Sequence, residues 1–138
     1  MTKLSYYRNV VTQISYLIVC CTKYGSPLLR DPEHSIFLST QLQELCAQHG
    51  YELQSFQVHN SYVIMHLQLS PNEAIGNAMR TIKGTLGRKM LKQFPDLRLE
   101  MVDGNFWAPT YFVATEGEVS TETIQDFIAF ASQTKKRR

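Results

Sequence analysis

The feature that most limits how this chain can fold is the nearly unbroken apolar run from Ile14 to Cys21. Successive side chains of a strand point to opposite faces. Ile14, Tyr16, Ile18 and Cys20 therefore take one face, and Leu17, Val19 and Cys21 the other. A strand that is apolar on both faces must be covered on both, so it belongs at the centre of a layered domain. The run is far too short to span a bilayer. The opening residues Met1-Thr2-Lys3-Leu4-Ser5-Tyr6-Tyr7 lack the apolar segment of a signal peptide. No membrane partner is expected, and a cytoplasmic location is. Cys20, Cys21 and Cys46 are odd in number and two are adjacent, which suits reduced, buried thiols better than a disulfide framework.

The remaining punctuation orders the other elements. The strand extends to Lys23, and Tyr24-Gly25-Ser26-Pro27 breaks it. Asp31-Pro32 reads as an N-cap with proline at the first helical position. Ile36, Leu38, Leu42, Leu45 and Cys46 give that helix an apolar stripe, ended by Gly50. Leu53 to Val58 is a strand, Asn60-Ser61 a turn, and Tyr62 to Leu69 a strand with strict alternation. Val63, Met65, Leu67 and Leu69 point one way; Tyr62, Ile64, His66 and Gln68 point the other. Pro71 opens a second long helix, buried through Ile75, Ala78, Met79, Ile82, Leu86 and Met90. Leu97 to Val102 and Trp107 to Thr115 carry strand signals around an Asp103-Gly104-Asn105 turn. Ser120 caps a last helix whose apolar face is Ile124, Phe127, Ile128 and Ala131. At 138 residues and 43% hydrophobic, this is one domain with a sizeable core. The order β-α-β-β-α-β(β)-α specifies an α+β, ferredoxin-like split βαβ sheet, with two helices on one face and an extra C-terminal helix.

Net charge is only +2, so the placement of charge matters more than its sum. Arg80, Lys83, Arg88, Lys89 and Lys92 crowd one helical segment and are the candidate phosphate contacts of a nucleic-acid-binding surface. Gly84 and Gly87 beside them allow close approach of a phosphate backbone or another helix. Lys135, Lys136, Arg137 and Arg138 form a basic tail, expected to be disordered from residue 134 onward. Tyr16, Tyr62, Trp107 and Tyr111 could stack on bases if exposed. His34, His49, His59 and His66 form no metal-ligand spacing; His59 and His66, seven apart, would face opposite ways on one strand. No Walker loop or dinucleotide fingerprint is present, so no cofactor and no metal are expected.

An ordered set of segments, from about Val10 to Gln133, resembles the insertion-sequence-200-type transposases, the single-tyrosine branch of the HUH superfamily; REP-associated tyrosine transposases are related to them. Tyr16 to Tyr24 is similar to the family's first strand and its Lys-Tyr signature. Lys83-Gly84-Thr85-Leu86-Gly87-Arg88 is similar to its Lys-Gly-x-x-x-Arg helix, with Phe94-Pro95 following. Trp107-Ala108-Pro109-Thr110-Tyr111-Phe112-Val113 and Gly117-Glu118-Val119-Ser120 resemble its most recognisable stretch. The resemblance implies a dimer that binds single-stranded DNA hairpins. It also implies cleavage by a tyrosine on the last helix, aided by a divalent metal on two histidines and a further polar residue.

At the positions the resemblance assigns to that chemistry, this chain differs. The His-x-His pair falls on Tyr62 and Ile64, the tyrosine on Phe127, and the polar residue one turn later on Ala131. The leading expectation is a transposase-derived homodimer without catalysis that binds single-stranded or hairpin DNA in a regulatory role. Its last helix would pack on the sheet where a metal site would lie, from the same chain or its partner. Two alternatives stay open. One is a scaffold recruited to bind an unknown protein partner. The other is an active, divergent transposase using Tyr111 or Tyr62 and metal ligands near His66.

Overall fold

A computed structural model of the chain describes residues 5–7, 10–12, 14–101, 103–115 and 119–133. The central run forms β3 (Tyr16–Thr22), preceded by a short antiparallel hairpin of β1 (Ser5–Tyr7) and β2 (Val10–Thr12). Then follow α1 (Pro32–His49), β4 (Glu52–Val58), β5 (Tyr62–Gln68), α2 (Ile75–Gln93), β6 (Trp107–Thr115) and α3 (Thr121–Ala131). The main sheet is antiparallel with strand order β4-β5-β3-β6, so β3 does lie inside it, paired on both sides. This is the split βαβ arrangement. Among the described residues no helix is long and apolar enough to cross a membrane.

The two faces of β3 enter two cores. Ile18 and Cys20 join Val63, Met65 and Leu67 of β5 beneath α1 and α2. Val19 and Cys21 face the other way, with Ala108, and α3 covers them. Burial pushes the Cys20 thiol up to about 12 and those of Cys21 and Cys46 to about 11, with Lys83 opposing the rise at Cys20 and Cys21, which makes all three poor nucleophiles.

Several boundaries depart from the sequence pattern. Lys23–Gly25 is a 3₁₀ turn rather than the end of β3. In α1, Leu38, Leu42, Leu45 and Cys46 are sealed, but Ile36 is 66% exposed. Two residues advance a helix by about 200°, so Ile36 lies opposite Leu38; the neighbouring Phe37 packs inward against Phe94 instead. Asp31 caps α1 through its carbonyl, which accepts from the N–H groups of His34 (3.0 Å) and Ser35 (3.1 Å), and its side chain makes no cap bond. Helix α2 begins at Ile75, because Ser70-Pro71 first makes a tight turn in which Ser70 Oγ accepts from Asn72 N at 3.2 Å.

Of the expected strand Leu97–Val102, residues 97–101 form no strand, and Val102 lies outside the described residues. Pro95–Glu100 is a 3₁₀ segment with Leu97 buried and Leu99 87% exposed. β6 occupies the β3 edge, where such a strand would have had to pair. At the opposite edge a bulge between Leu53 and Ser55 lets Gln54 bond Gln68. Gln54 Nε2 donates to Gln68 Oε1 at 2.7 Å, and Ser15 Oγ donates to Gln54 Oε1 at 2.7 Å. Gln68 is thus buried rather than on an open face.

Candidate nucleic-acid interface

Helix α2 buries Ala78, Met79, Ile82, Leu86 and Met90. Helical spacing then sends Arg80, Arg88 and Lys92 to the solvent side, towards β6 and the segment before it. Lys83, Arg88 and Lys92 line one groove of about 750 Å³, whose far wall is Arg98 and Gly104 to Trp107. Among the described residues no acidic side chain lines it. A second groove of about 480 Å³, lined by Arg80, Met79, Pro109 and Tyr111, shares Lys83 and Gly84 with the first. The two run together along one side of α2. Of the five basic candidates, four are brought to these grooves, and Lys89, though exposed, lines neither. Arg98 joins them from the 3₁₀ segment. The sequence pattern hides it, because its apolar neighbours Leu97 and Leu99 imitate a strand.

Lys83 differs from the others. Its Nζ donates to the carbonyls of Ala108 (2.7 Å) and Pro109 (3.3 Å) and sits 5.5 Å from the centre of the Tyr111 ring. Burial lowers its pKa, an effect opposed by Cys20 and Cys21. It ties α2 to β6 at the junction of the two grooves. Gly87 serves the same junction. A Cβ there would lie 3.6 Å from Trp107 Cδ1 and Nε1, so glycine lets the indole lie against the helix. Trp107 is only 8% exposed and cannot offer a face to a base. Gly84 is open, with nothing but Arg88 Nη1 near its missing Cβ, at 3.5 Å. Of the aromatic candidates, Trp107 lines the first basic groove and Tyr111 the second.

The Lys23-Tyr24 pair is held by Asp103. Lys23 Nζ is 3.3 Å from Asp103 Oδ2, and the Tyr24 hydroxyl donates to the same carboxylate at 3.4 Å. Residues 135–138, the basic tail, and Gly117-Glu118 lie outside the described residues.

On the opposite face, Tyr62, Ile64, Phe127 and Ala131 come together. All four pack on the cluster of Val19, Cys21 and Ala108, with Phe127 5.8 Å from Phe112, ring centre to ring centre. Helix α3 of the same chain supplies this cover. Its start is fixed by Ser120 Oγ, which accepts from Thr123 N at 3.1 Å. Its end rests on Gly25, where a Cβ would come within 2.9 Å of Ser132 Cβ.

His59 and His66 line one cavity of about 380 Å³ between sheet and helix. One strand does not carry both: the Asn60-Ser61 turn separates them and lays the His59 ring on Tyr62, 4.4 Å apart and 15° from parallel. These residues do not fit a divalent metal. Ile64 has no lone pair, the Tyr62 ring is engaged with His59, and no three His, Cys, Asp or Glu residues cluster suitably among the described residues.

A family profile described as Transposase IS200 like matches residues 10–130. The chain is 31% identical over 121 residues to the ISDra2 transposase TnpA of Deinococcus radiodurans, covering 88% of this chain and 86% of that protein. It is 28% identical over 87 residues to the transposase for insertion sequence element IS200 of Salmonella typhimurium, of which it spans 57%. A crystal structure of a Deinococcus radiodurans protein described as a transposase superposes with a TM-score of 0.87 at 30% identity, covering 94% of this chain and 99% of that one. The REP-associated tyrosine transposase, solved bound to a REP hairpin, shares the fold at a TM-score of 0.54 and 12% identity, covering 92% and 69%. With a profile that spans most of its length and a relative of this identity along nearly the whole domain, the chain belongs to the IS200-like transposase family.

Proposed function

We propose that this protein binds single-stranded or hairpin DNA along the grooves beside α2 and does not cleave it. The observation that carries the reading is the convergence of Lys83, Arg88, Lys92 and Arg98 on one groove with no acidic side chain among the described residues of its wall. Cations on a shared wall bind a polyanion by displacing its counterions. The hairpin bound by the REP-associated relative supports the choice of nucleic acid. The absence of chemistry rests on Ile64 and Phe127. A sec-butyl group ligates no metal and a phenyl ring cannot attack phosphorus, and both are packed into an apolar cluster. A regulatory role follows if such a protein occupies the ends of an element without cutting them. A homodimer is part of this reading: among the described residues β6 leaves one edge unpaired, and Phe130 of α3 is 57% exposed.

Fluorescence anisotropy with a hairpin oligonucleotide, titrated over salt, tests binding. The double variant Arg88→Ala/Lys92→Ala should flatten the slope of log K against log salt by roughly 1.5–2, as expected for two lost phosphate contacts. An unchanged slope removes the groove as the site. Incubating labelled hairpin with Mg²⁺ or Mn²⁺ should give no product, either for the wild type or for Phe127→Tyr; metal-dependent cleavage by the wild type would establish the active, divergent reading. Absence of binding at low salt would turn the search to a protein partner.

A further inference from the structure

We infer that the cavity between α3 and the sheet is a pocket for a neutral heteroaromatic ring of the nucleobase kind. The inference stands on the lining of this cavity and not on DNA binding beside α2. At about 380 Å³ it sits at the small end of ligand pockets, enough for one ring system with its sugar and too little for a dinucleotide. Among the described residues its wall carries no Asp, Glu, Lys or Arg side chain. A phosphate or carboxylate would find no fixed counter-charge there, and an ammonium no carboxylate. A purely aliphatic guest fits no better, since it would strip water from the side-chain amides and return no hydrogen bonds.

The polar groups are instead those that complement the edge of a base. Gln57 of β4 and Gln125 of α3 reach the cavity from opposite sides, and an amide offers both donor and acceptor. As placed, the Gln57 carbonyl oxygen meets His59 Nε2 at 3.0 Å, which leaves its NH₂ group as a donor. The stacked pair His59 and Tyr62 borders the cavity, so an aromatic guest has rings to stack against. Leu17, Ile64 and Ile124 supply the apolar surface that a base needs on its faces. Stacking against aromatic and apolar side chains with hydrogen bonds to the ring edge is how proteins hold an unstacked base. The cavity differs in kind from the cationic grooves of α2.

The test is direct titration of the protein with 2-aminopurine deoxyriboside, whose fluorescence is quenched by stacking. Quenching should saturate in the millimolar range and be reversed by adenosine or thymidine but not by inorganic phosphate. Ile64→Trp, which fills the cavity, should abolish it. Gln125→Ala, on the exposed side of α3, should weaken it about five-fold, the effect of one neutral hydrogen bond. Arg88→Ala should leave it unchanged, which separates this site from the DNA groove whatever that groove binds. Quenching that never saturates, displacement by phosphate, or wild-type titrations in both Ile64→Trp and Gln125→Ala would overturn the inference. If Ile64→Trp fails to fold, Gln125→Ala decides alone.

Discussion

Under α1 and α2, the sheet is closed by side chains with almost no exposure, among them Ile18, Leu38, Leu42, Met65, Leu67 and Ile82. Under α3, the fully buried members among the described residues are Val19, Cys21 and Ala108, and no residue of α3 itself is fully buried. The same strand, β3, supports both. One face holds the fold together, whereas the other carries a thin lid over a cavity and over the positions where the family resemblance places the cleavage chemistry. The comparison teaches that this domain can change what lies under α3 without endangering its core.

The strongest way to break the comparison is from the closed side. Leu42→Ala should cost about 2–5 kcal/mol, the range for a buried leucine whose site cannot collapse, read as a drop in the urea midpoint. A smaller loss than any α3 variant would reverse the ranking of the two faces. Next comes Gly25→Ala. The residue has φ +70°, and its new Cβ would meet Ser132. The left-handed backbone alone costs about 1–2 kcal/mol. Adding Ser132→Gly should recover the steric part and leave the backbone part, a split that double-mutant analysis can measure.

Phe127→Ala follows at about 1–2 kcal/mol, below the roughly 3–5 of a fully buried phenylalanine, because Phe127 is only partly buried. Far-UV circular dichroism should show the sheet and the two long helices unchanged. The smallest effect is expected of Ser120→Ala, at about 1 kcal/mol for a lost N-cap. Hydrogen exchange should locate it in α3 alone, and spread into β5 would show that the lid is not a separate unit.

The sequence made the closed face legible because two periodicities describe it fully. Val63, Met65 and Leu67 alternate, and Ala78, Met79, Ile82, Leu86 and Met90 follow the helix. Both patterns reflect burial, the largest local force. The errors fell where tertiary neighbours decide. Leu97 and Leu99 alternate like a strand, but the edge they would have paired with belongs to β6. The site was legible in part. Arg80, Lys83, Arg88 and Lys92 stand out as a basic cluster on one helix, but the cluster also includes Lys89, which lines neither groove. Arg98 reaches the groove through a turn, and His59 reaches the same cavity as His66 across a hairpin, and no spacing rule records either approach. That Gly87 serves as a bed for Trp107 rather than an approach for phosphate depends on a contact twenty residues away.

Cys20 and Cys21 are neighbours in sequence that belong to different cores, one under α1 and α2 and the other under α3. The chain thereby carries its own pair of chronometers, separated by a single peptide bond. A thiol reagent added under mildly destabilising conditions should mark Cys21 when the α3 side opens and Cys20 only when the whole sheet lets go. The order of modification, read from one peptide by mass spectrometry, dates the two openings against each other without any label having to be engineered in.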